Sequence, residues 1–239
     1  MWNYYGSKSI VVDCYPPPKY GTVIEPFCGS ARYALKYWDR EVVLVDKYEV
    51  VIKVWRWLQS CSVQDILGLP ELRKGQLISD YGLCEGATLF MGMIAGVACT
   101  SPRNKISAFA SEQNGRKNKL KRIADNLPKI KHWTLIHDSY ECLENREATW
   151  FIDPPYQFGG SAYVESVVDY AVLAEWSKNR GGQVIVCENT RATWMDFKPM
   201  VKMRGGNQKY TTEAIWSNEP TAFDWQQQDM FEKAQRSER

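Results

Sequence analysis

The chain has 239 residues, of which 44% are hydrophobic and 24% are charged. This length is more than one typical domain of about 150 residues and less than two, so we expect one α/β core that carries an insertion. The composition excludes a disordered chain, and the net charge of +2 gives by itself no sign of a polyanionic partner.

The first part of the chain predicts the beginning of a parallel sheet. Thr22–Pro26 and Val42–Asp46 are short apolar runs that contain or end at an acidic residue, as buried strands with a polar end do. Each run is followed by a stretch with a helical pattern, Arg32–Trp38 and Tyr48–Leu58. This strand–helix–strand alternation is typical of a doubly wound α/β fold.

The middle of the chain, residues 59–132, changes character. Glycine and proline interrupt it repeatedly, and its clearest predicted helix is Lys119–Leu127. The segment from Arg103 to His132 has nine basic and two acidic residues, a net charge of +7, which leaves −5 for the rest of the chain. We therefore interpret 59–132 as an inserted basic module.

The alternation of strands and helices resumes after residue 132. The predicted strands are Thr134–Asp138, Thr149–Asp153, Gln183–Cys187 and Thr211–Trp216, and the predicted helix is Val168–Lys178. Residues 1–58 and 133–225 are thus expected to form one domain around the insert, and 226–239 to form a polar tail.

The strongest chemical signal is Asp153-Pro154-Pro155-Tyr156, directly after a predicted strand. The two prolines fix φ and donate no backbone N–H, so they make a rigid turn. The Asp153 carboxylate and the Pro154 carbonyl can accept both hydrogens of an exocyclic amine, while Tyr156 can stack on a planar base. The alternative is a proline-rich turn without chemistry.

Two further features suit a nucleotide-like ligand. Gly29 and Ser30 follow the first predicted strand, where small residues let the backbone approach a ligand closely. Asp46 comes about one strand–helix–strand unit later, where ribose-binding acids lie in dinucleotide folds. Each feature alone is also compatible with an ordinary tight turn or a strand-end acid.

In this order the motifs resemble the amino-group methyltransferases that use S-adenosylmethionine, particularly the Dam-like DNA adenine-N6 group. The resemblance covers about 1–58 and 133–218, where Thr212–Asn218 is similar to a late segment of that group. It implies a Rossmann-like methyltransferase fold with a mostly parallel seven-stranded sheet whose last strand is antiparallel. It also implies S-adenosylmethionine as cofactor, S-adenosylhomocysteine as product, and no metal.

The resemblance assigns roles to particular residues. Lys8 matches the lysine that approaches the cofactor carboxylate, Asp46 the ribose acid, and Asp138-Ser139-Tyr140 the stretch that holds the adenine. Ala31 departs from the pattern, because the family usually has a second glycine there. The implied catalytic residues are Asp153, Pro154, Pro155 and Tyr156. The implied cofactor-binding residues are Tyr5, Lys8, Glu25, Pro26, Phe27, Cys28, Gly29, Ser30, Ala31, Asp46, Asp138, Ser139, Tyr140 and Asp153.

The basic insert lies where the Dam-like group has its target-recognition domain. Clustered lysine and arginine side chains can neutralise phosphates, so we expect double-stranded DNA as partner. A solvated helix face is the alternative. The expected DNA-binding residues are Arg103, Lys105, Asn114, Arg116, Lys117, Lys119, Lys121 and Arg122.

The predicted reaction is site-specific transfer of a methyl group to the N6 amine of a flipped-out adenine in DNA. RNA adenine-N6 and DNA cytosine-N4 methylation stay open, since those substrates present a similar amine. Methylation of a protein glutamine is disfavoured, because that group usually begins its motif with Asn. A non-catalytic nucleic-acid scaffold is the remaining alternative. The compact insert and the lack of a nuclease motif favour a stand-alone enzyme over one member of a restriction-modification pair.

Other features bear on location and partners. The longest apolar run, Leu89–Cys99, is too short to span a bilayer, and the N-terminus has no signal-peptide pattern. The seven scattered cysteines and two histidines favour reduced thiols in the cytoplasm and no metal site. The resemblance implies that the cell is bacterial or phage-infected. We expect a monomer or weak dimer. Gln227–Phe231 resembles the peptide that docks on the DNA sliding clamp, although Met230 and Phe231 could pack on the core instead.

Overall fold

The computed structural model describes residues 2, 4–96, 99–106, 116–204 and 210–221, with the backbone alone at 116, 117, 203 and 204. Seven strands form one sheet, namely β1 Thr22–Glu25, β2 Glu41–Asp46, β3 Thr134–His137, β4 Ala148–Ile152, β5 Gly182–Asn189, β6 Lys198–Arg204 and β7 Tyr210–Ser217. The α-helices of the described residues are α1 Arg32–Lys36, α2 Glu49–Ser60, α3 Val63–Leu67, α4 Glu85–Ile94, α5 Arg116–Ile130 and α6 Tyr170–Lys178. Short 3-10 turns occupy Val12–Cys14, Ile78–Tyr81, Tyr140–Cys142 and Gly160–Ala162.

The strand order is β3-β2-β1-β4-β5-β7-β6. β1 to β5 run parallel, and β7 pairs antiparallel with both β5 and β6. The prediction of a mostly parallel seven-stranded sheet with the last strand antiparallel is therefore confirmed. This topology is that of the Rossmann-like methyltransferase fold.

The sheet places its polar strand ends along one edge. β1 lies between β2 and β4, with Ile24 opposite Val43 on one side and Trp150 on the other. The order of the parallel strands reverses at β1 and β4, and ligands of doubly wound folds bind at the carboxyl ends of the strands at such a reversal. Asp46 ends β2, and Asp153 directly follows β4, so both acids lie at this edge.

Alternating residues of the strands supply two apolar cores, one on each face. On one face Val23, Leu44 and Phe151 pack with α1, α2, α4 and α5. On the other face Ile24 and Trp150 pack with α6. The sheet is thus covered by helices on both sides, and the near-continuous apolar runs of β1, β2 and β4 follow from this burial.

The insert packs against α2 and shares its core. α3 contacts α5, and α4 contacts α2. Buried residues of α5 recur along one helical face and belong to the same apolar cluster as Trp55 of α2, namely Leu120, Ile123, Ala124, Leu127 and Ile130. The insert is therefore anchored on the sheet, while the division of the chain into domains at residues 59 and 132 stays a prediction.

Element boundaries differ from the predicted ones for local reasons. α6 begins at Tyr170 because the Asp169 side chain accepts hydrogen bonds from the N–H groups of Ala171 and Val172. The sequence pattern did not predict α4, because its glycines are typical of interruptions between helices. Gly92 instead allows Pro102 to pack closely against α4, since an added Cβ would lie 2.6 Å from the Pro102 Cβ. β6 also escaped prediction, because lysines and Pro199 are features of an edge strand.

Candidate active site

A cavity of about 350 Å³ opens at the carboxyl edge of the sheet, between β1, β2 and β4. Its volume lies within the roughly 300–1,000 Å³ of small-molecule sites. Of the predicted site residues, those lining the cavity are Tyr5, Lys8, Glu25, Pro26, Phe27, Cys28, Gly29, Ser30, Ala31, Asp46, Ser139, Tyr140, Asp153 and Pro155. Asp138, Pro154 and Tyr156 are outside this lining. The fold thus brings together segments that are far apart in the chain.

The loop after β1 approaches the cavity with its backbone. Gly29 has a positive φ of 43°, and a Cβ there would lie 2.9 Å from the ring of Tyr4. The indole N–H of Trp55 donates a hydrogen bond of 2.9 Å to the Gly29 carbonyl. A glycine is therefore favoured here, since the positive φ strains other residues and the Tyr4 ring occupies the space that a side chain would need.

Ala31 occupies the position where the Dam-like group usually has a second glycine, and the turn still forms there. Its φ is 45° and its ψ is 54°, in the left-handed region that favours glycine. It is the one non-glycine residue with positive φ in the described part of the chain. The alanine thus adopts a conformation that favours glycine, at a cost in backbone strain.

Asp46 holds this loop in place. Its Oδ2 accepts the Gly29 N–H at 2.9 Å, and its Oδ1 accepts the Tyr48 N–H at 2.9 Å. Burial raises the pKa of Asp46 to about 6, although these hydrogen bonds oppose the shift. Because a carboxylate has about four acceptor positions, Asp46 retains capacity for ligand hydroxyls.

Glu25 lines the cavity, but its carboxyl group is hydrogen-bonded within the protein. Its Oε1 accepts the Ala34 N–H at 2.6 Å, which fixes α1 against the end of β1. Burial raises the pKa of Glu25 to about 8, so the neutral acid predominates at pH 7. The side chain thus occupies the cavity wall without contributing a full negative charge.

An aromatic wall stands beside the Asp46 end of the cavity. The ring centroids of Phe27 and Tyr140 are 5.3 Å apart, and Tyr140 also packs edge-on against Trp176 at 5.0 Å. Ser139 lines the cavity next to Tyr140, whereas the exposed Asp138 accepts a hydrogen bond from the Ser139 N–H. Of the predicted adenine-binding stretch, the structure therefore brings two of three residues to the cavity.

Asp153 lies at the other end of the cavity, next to a buried lysine. Lys8 Nζ is 2.7 Å from Asp153 Oδ1 and 3.4 Å from Glu213 Oε1. Burial would lower the pKa of Lys8, but Asp153 and Glu213 raise it above its usual range, so the lysine is charged. Burial raises the pKa of Asp153 to about 6, although Lys8 opposes this shift.

The turn after β4 is fastened from several sides. The Pro155 carbonyl accepts the Tyr170 hydroxyl at 2.8 Å, and the Gln157 N–H donates to Glu188 Oε1 at 2.6 Å. Tyr156 donates its hydroxyl to Glu213, and Lys8 Nζ is 4.7 Å from the centroid of its ring. The Tyr156 ring is thus already in contact with a protein cation in this structure.

Glu213 of β7 is a residue of this site that the sequence analysis missed. It is buried, and its Oε1 also accepts the Tyr15 hydroxyl at 3.0 Å. It therefore connects the N-terminal segment, the turn after β4 and the last strand. The available signal was an acid within the otherwise apolar or threonine-rich stretch Tyr210–Ser217, since a strand seldom buries a charge without a partner.

The predicted DNA-binding residues divide into three groups. Arg103, Lys105, Lys121 and Arg122 are exposed, and Lys119 is half-buried. Arg116 and Lys117 lie in the first turn of α5, where the structure describes the backbone alone. Asn114 and the tail segment Gln227–Phe231 lie outside the described residues.

Two observations relate the basic insert to the cavity. The Tyr5 N–H donates to the Cys99 carbonyl at 3.2 Å, so the segment that carries Arg103 and Lys105 starts beside the cavity wall. The charge of Arg122 on α5 lowers the pKa of Arg32, which lines the cavity, after the larger effect of burial. Arg122 is thus close enough to Arg32 for the two charges to interact.

The described residues contain no cluster of three or more His, Cys, Asp or Glu side chains that could hold a metal ion. In the same residues no helix has the length and apolar character needed to cross a membrane.

Comparison with known proteins gives similarity in structure alone. No family model matches the chain, and no curated protein matches it in sequence. A conserved hypothetical protein from Streptococcus pyogenes is 15% identical, with a TM-score of 0.34, over 83% of this chain and 86% of its own. The candidate methyltransferase YhhF from Escherichia coli is 10% identical, with a TM-score of 0.35, over 84% of this chain and 76% of its own. At these scores neither structure identifies a function.

Proposed function

We propose that the protein is an S-adenosylmethionine-dependent methyltransferase that methylates the N6 amine of adenine in duplex DNA. One observation carries the proposal: the Asp153 turn after β4 and the loop held by Asp46 after β1 face the same cavity. The first supplies acceptors for an amine, and the second supplies a site for a nucleoside. A methyl donor and an amine can therefore meet in one place.

The cavity suits the cofactor in shape and in polarity. Asp46 would accept the ribose hydroxyls, Gly29 would let the backbone approach the cofactor, and Phe27 with Tyr140 would contact the adenine. The close approach of Tyr4 to Gly29 shows that this wall has no space for a larger loop residue. When bound, S-adenosylmethionine supplies an electrophilic methyl group on a positively charged sulfur.

Asp153 and Pro154 would hold the target amine. Lys8 contacts Oδ1 of Asp153, so Oδ2 is left to accept an amine hydrogen. The resemblance gives the second hydrogen to the carbonyl of Pro154, which is outside the cavity lining. Hydrogen bonds to a charged acceptor contribute about 1.5–3 kcal/mol and raise the electron density on nitrogen. S-adenosylmethionine would supply the methyl group to the amine nitrogen that these acceptors hold, its sulfonium would become a neutral thioether, and the amine would then lose one proton to solvent. Most of the acceleration comes from alignment of the two reactants.

The insert supports a nucleic-acid substrate. α5 buries its apolar face and exposes Lys121 and Arg122, so its basic face is directed away from the core. Exposed cations of this kind contact phosphates without reading sequence. The target base must leave the stack to reach Asp153, and contacts of the insert with the flanking backbone would hold the opened duplex.

The test is transfer of labelled methyl from S-adenosylmethionine to unmethylated duplex DNA, followed by analysis of the product nucleosides. We expect N6-methyladenine with the wild type and with Asp39→Asn, which changes an exposed acid away from the cavity. With Asp153→Ala the rate of product formation should fall by about 10²–10³-fold or more. If the product is N4-methylcytosine, or if only RNA is methylated, the protein is a methyltransferase with a different substrate from the one proposed. Absence of cofactor binding would refute it and favour a non-catalytic scaffold.

A further inference from the structure

Three cations line the cavity among the described residues, and they differ in how their charge is neutralised. Lys8 lies within 3.4 Å of two carboxylates, those of Asp153 and Glu213. Lys47 is exposed, and its Nζ is 3.6 Å from Glu165. Arg32 is the third cation. Its partners are of a different kind.

Arg32 is bonded to neutral acceptors. Its Nε donates to the Ser7 hydroxyl at 3.1 Å, and its Nη2 donates to the Trp2 carbonyl at 2.8 Å. These contacts leave part of the five-donor guanidinium fork free to bind a ligand, and no carboxylate of the described residues forms an ion pair with it. Burial and the nearby charge of Arg122 lower the pKa of Arg32, as expected for a cation without a counter-charge.

The surroundings of Arg32 provide further polar groups. The Ser30 hydroxyl lies 3.1 Å from the Ser7 hydroxyl, and both serines line the cavity. Ser30 follows Gly29, which binds Asp46, and Ser7 precedes Lys8, which binds Asp153. This group therefore lies on the cavity wall between the end that would hold the ribose and the end that would hold the amine.

We propose that Arg32, together with the Ser7 hydroxyl, binds the carboxylate of the amino-acid part of the cofactor. This inference rests on the proposed function, since it assumes S-adenosylmethionine in the cavity. The resemblance assigned the carboxylate to Lys8, but Lys8 already neutralises two acids, and a third would meet their repulsion. Arg32 has the unpaired charge and the planar donor geometry that a carboxylate binds best.

The experiment compares two ligands that differ only in the carboxylate. The affinities of S-adenosylhomocysteine and its decarboxylated analogue are measured by calorimetry with the wild type, Arg32→Met and the matched control Arg56→Met, an exposed arginine of α2 outside the cavity. We expect the wild type and Arg56→Met to bind S-adenosylhomocysteine about 10- to 100-fold more tightly than the analogue. In Arg32→Met this preference should fall to less than about threefold, because affinity for S-adenosylhomocysteine is lost and affinity for the analogue is kept.

The possible outcomes separate the inference from the proposed function. If the wild type binds neither ligand, the proposed function fails. If it binds both and Arg32→Met keeps the full preference, Arg32 does not bind the carboxylate, and the proposed function stands. If Arg32→Met loses affinity for duplex DNA but not for S-adenosylhomocysteine, Arg32 binds a phosphate and the inference is overturned. Arg32→Lys keeps the charge and should retain part of the preference for S-adenosylhomocysteine over its decarboxylated analogue. This variant replaces Arg32→Met in the experiment if the methionine variant does not fold.

Discussion

The two ends of the cavity use an aspartate in different ways. Asp46 ends β2 and Asp153 follows β4, the two neighbours of β1, and burial raises the pKa of each to about 6. Asp46 accepts two backbone N–H groups, from Gly29 and Tyr48. Asp153 instead faces a lysine side chain that also contacts Glu213.

In the proposed function, this difference separates cofactor binding at the Asp46 end from methyl transfer at the Asp153 end. Backbone dipoles are fixed in direction, so the Asp46 end is a rigid cradle that needs no rearrangement when a ligand binds. At the Asp153 end two carboxylates share one ammonium group, so the charge on Asp153 depends on its neighbours and on pH. The cavity thus has a rigid, preorganised end at Asp46 and an end at Asp153 whose charge depends on pH.

The largest effect is expected from Asp153→Ala. The variant should lose about 10²–10³-fold or more in kcat, because the acceptor for the target amine is gone. Lys8 keeps Glu213 as partner, so the fold and cofactor affinity should persist. Methyl transfer in single-turnover mode and calorimetry with S-adenosylhomocysteine measure the two quantities. Normal turnover in this variant would refute the proposed role.

Asp46→Asn should have the complementary effect at the other end. Loss of a charged acceptor for hydroxyls should weaken cofactor binding about 10- to 100-fold, with kcat at saturating cofactor changed by less than the binding. The same calorimetry and a cofactor titration of the rate test this. Equal losses in kcat and in affinity would show that the two ends do not divide their tasks.

The pH dependence of transfer should report the Asp153 end. Because the pKa of Asp153 is raised to about 6, its ionised form is present above this pH and activity should fall about tenfold per pH unit below it. Glu213→Gln removes a negative charge that raises the pKa of Asp153, so the acid limb should move to lower pH. Rates are measured at saturating cofactor, so that titration of Asp46 does not limit them. A limb that stays in place or moves upward contradicts this account.

The smallest effect concerns the loop that Asp46 holds. Ala31→Gly should raise the free energy of unfolding by about 1 kcal/mol, because glycine adopts positive φ without strain. Thermal unfolding should shift upward by about 2–4 °C for a chain of this size. The matched change Ala34→Gly, inside α1, should instead lower stability. If Ala31→Gly also destabilises the protein, packing of the alanine methyl outweighs the backbone strain.

Much of this site could be predicted because its signals are local. An apolar run followed by Asp153-Pro154-Pro155-Tyr156 indicates a strand and a rigid turn whatever the rest of the chain does. Asp46 was predicted in the same way, as an acid at the end of the apolar run that forms β2. The position of Arg32 at the cavity was not predicted, because an arginine at the start of a helix is usually solvated.

The strands that end in acids, the proline turn and the basic helix can be predicted from local sequence, because each depends on residues within one element. Which charges meet depends on how the elements are arranged in three dimensions. Tyr15 and Glu213 are 198 residues apart, yet they are hydrogen-bonded, and Lys8 is paired with acids that follow β4 and lie on β7. Such pairings depend on how the strands are ordered in the sheet, and that order follows from the burial of both faces together rather than from any local pattern.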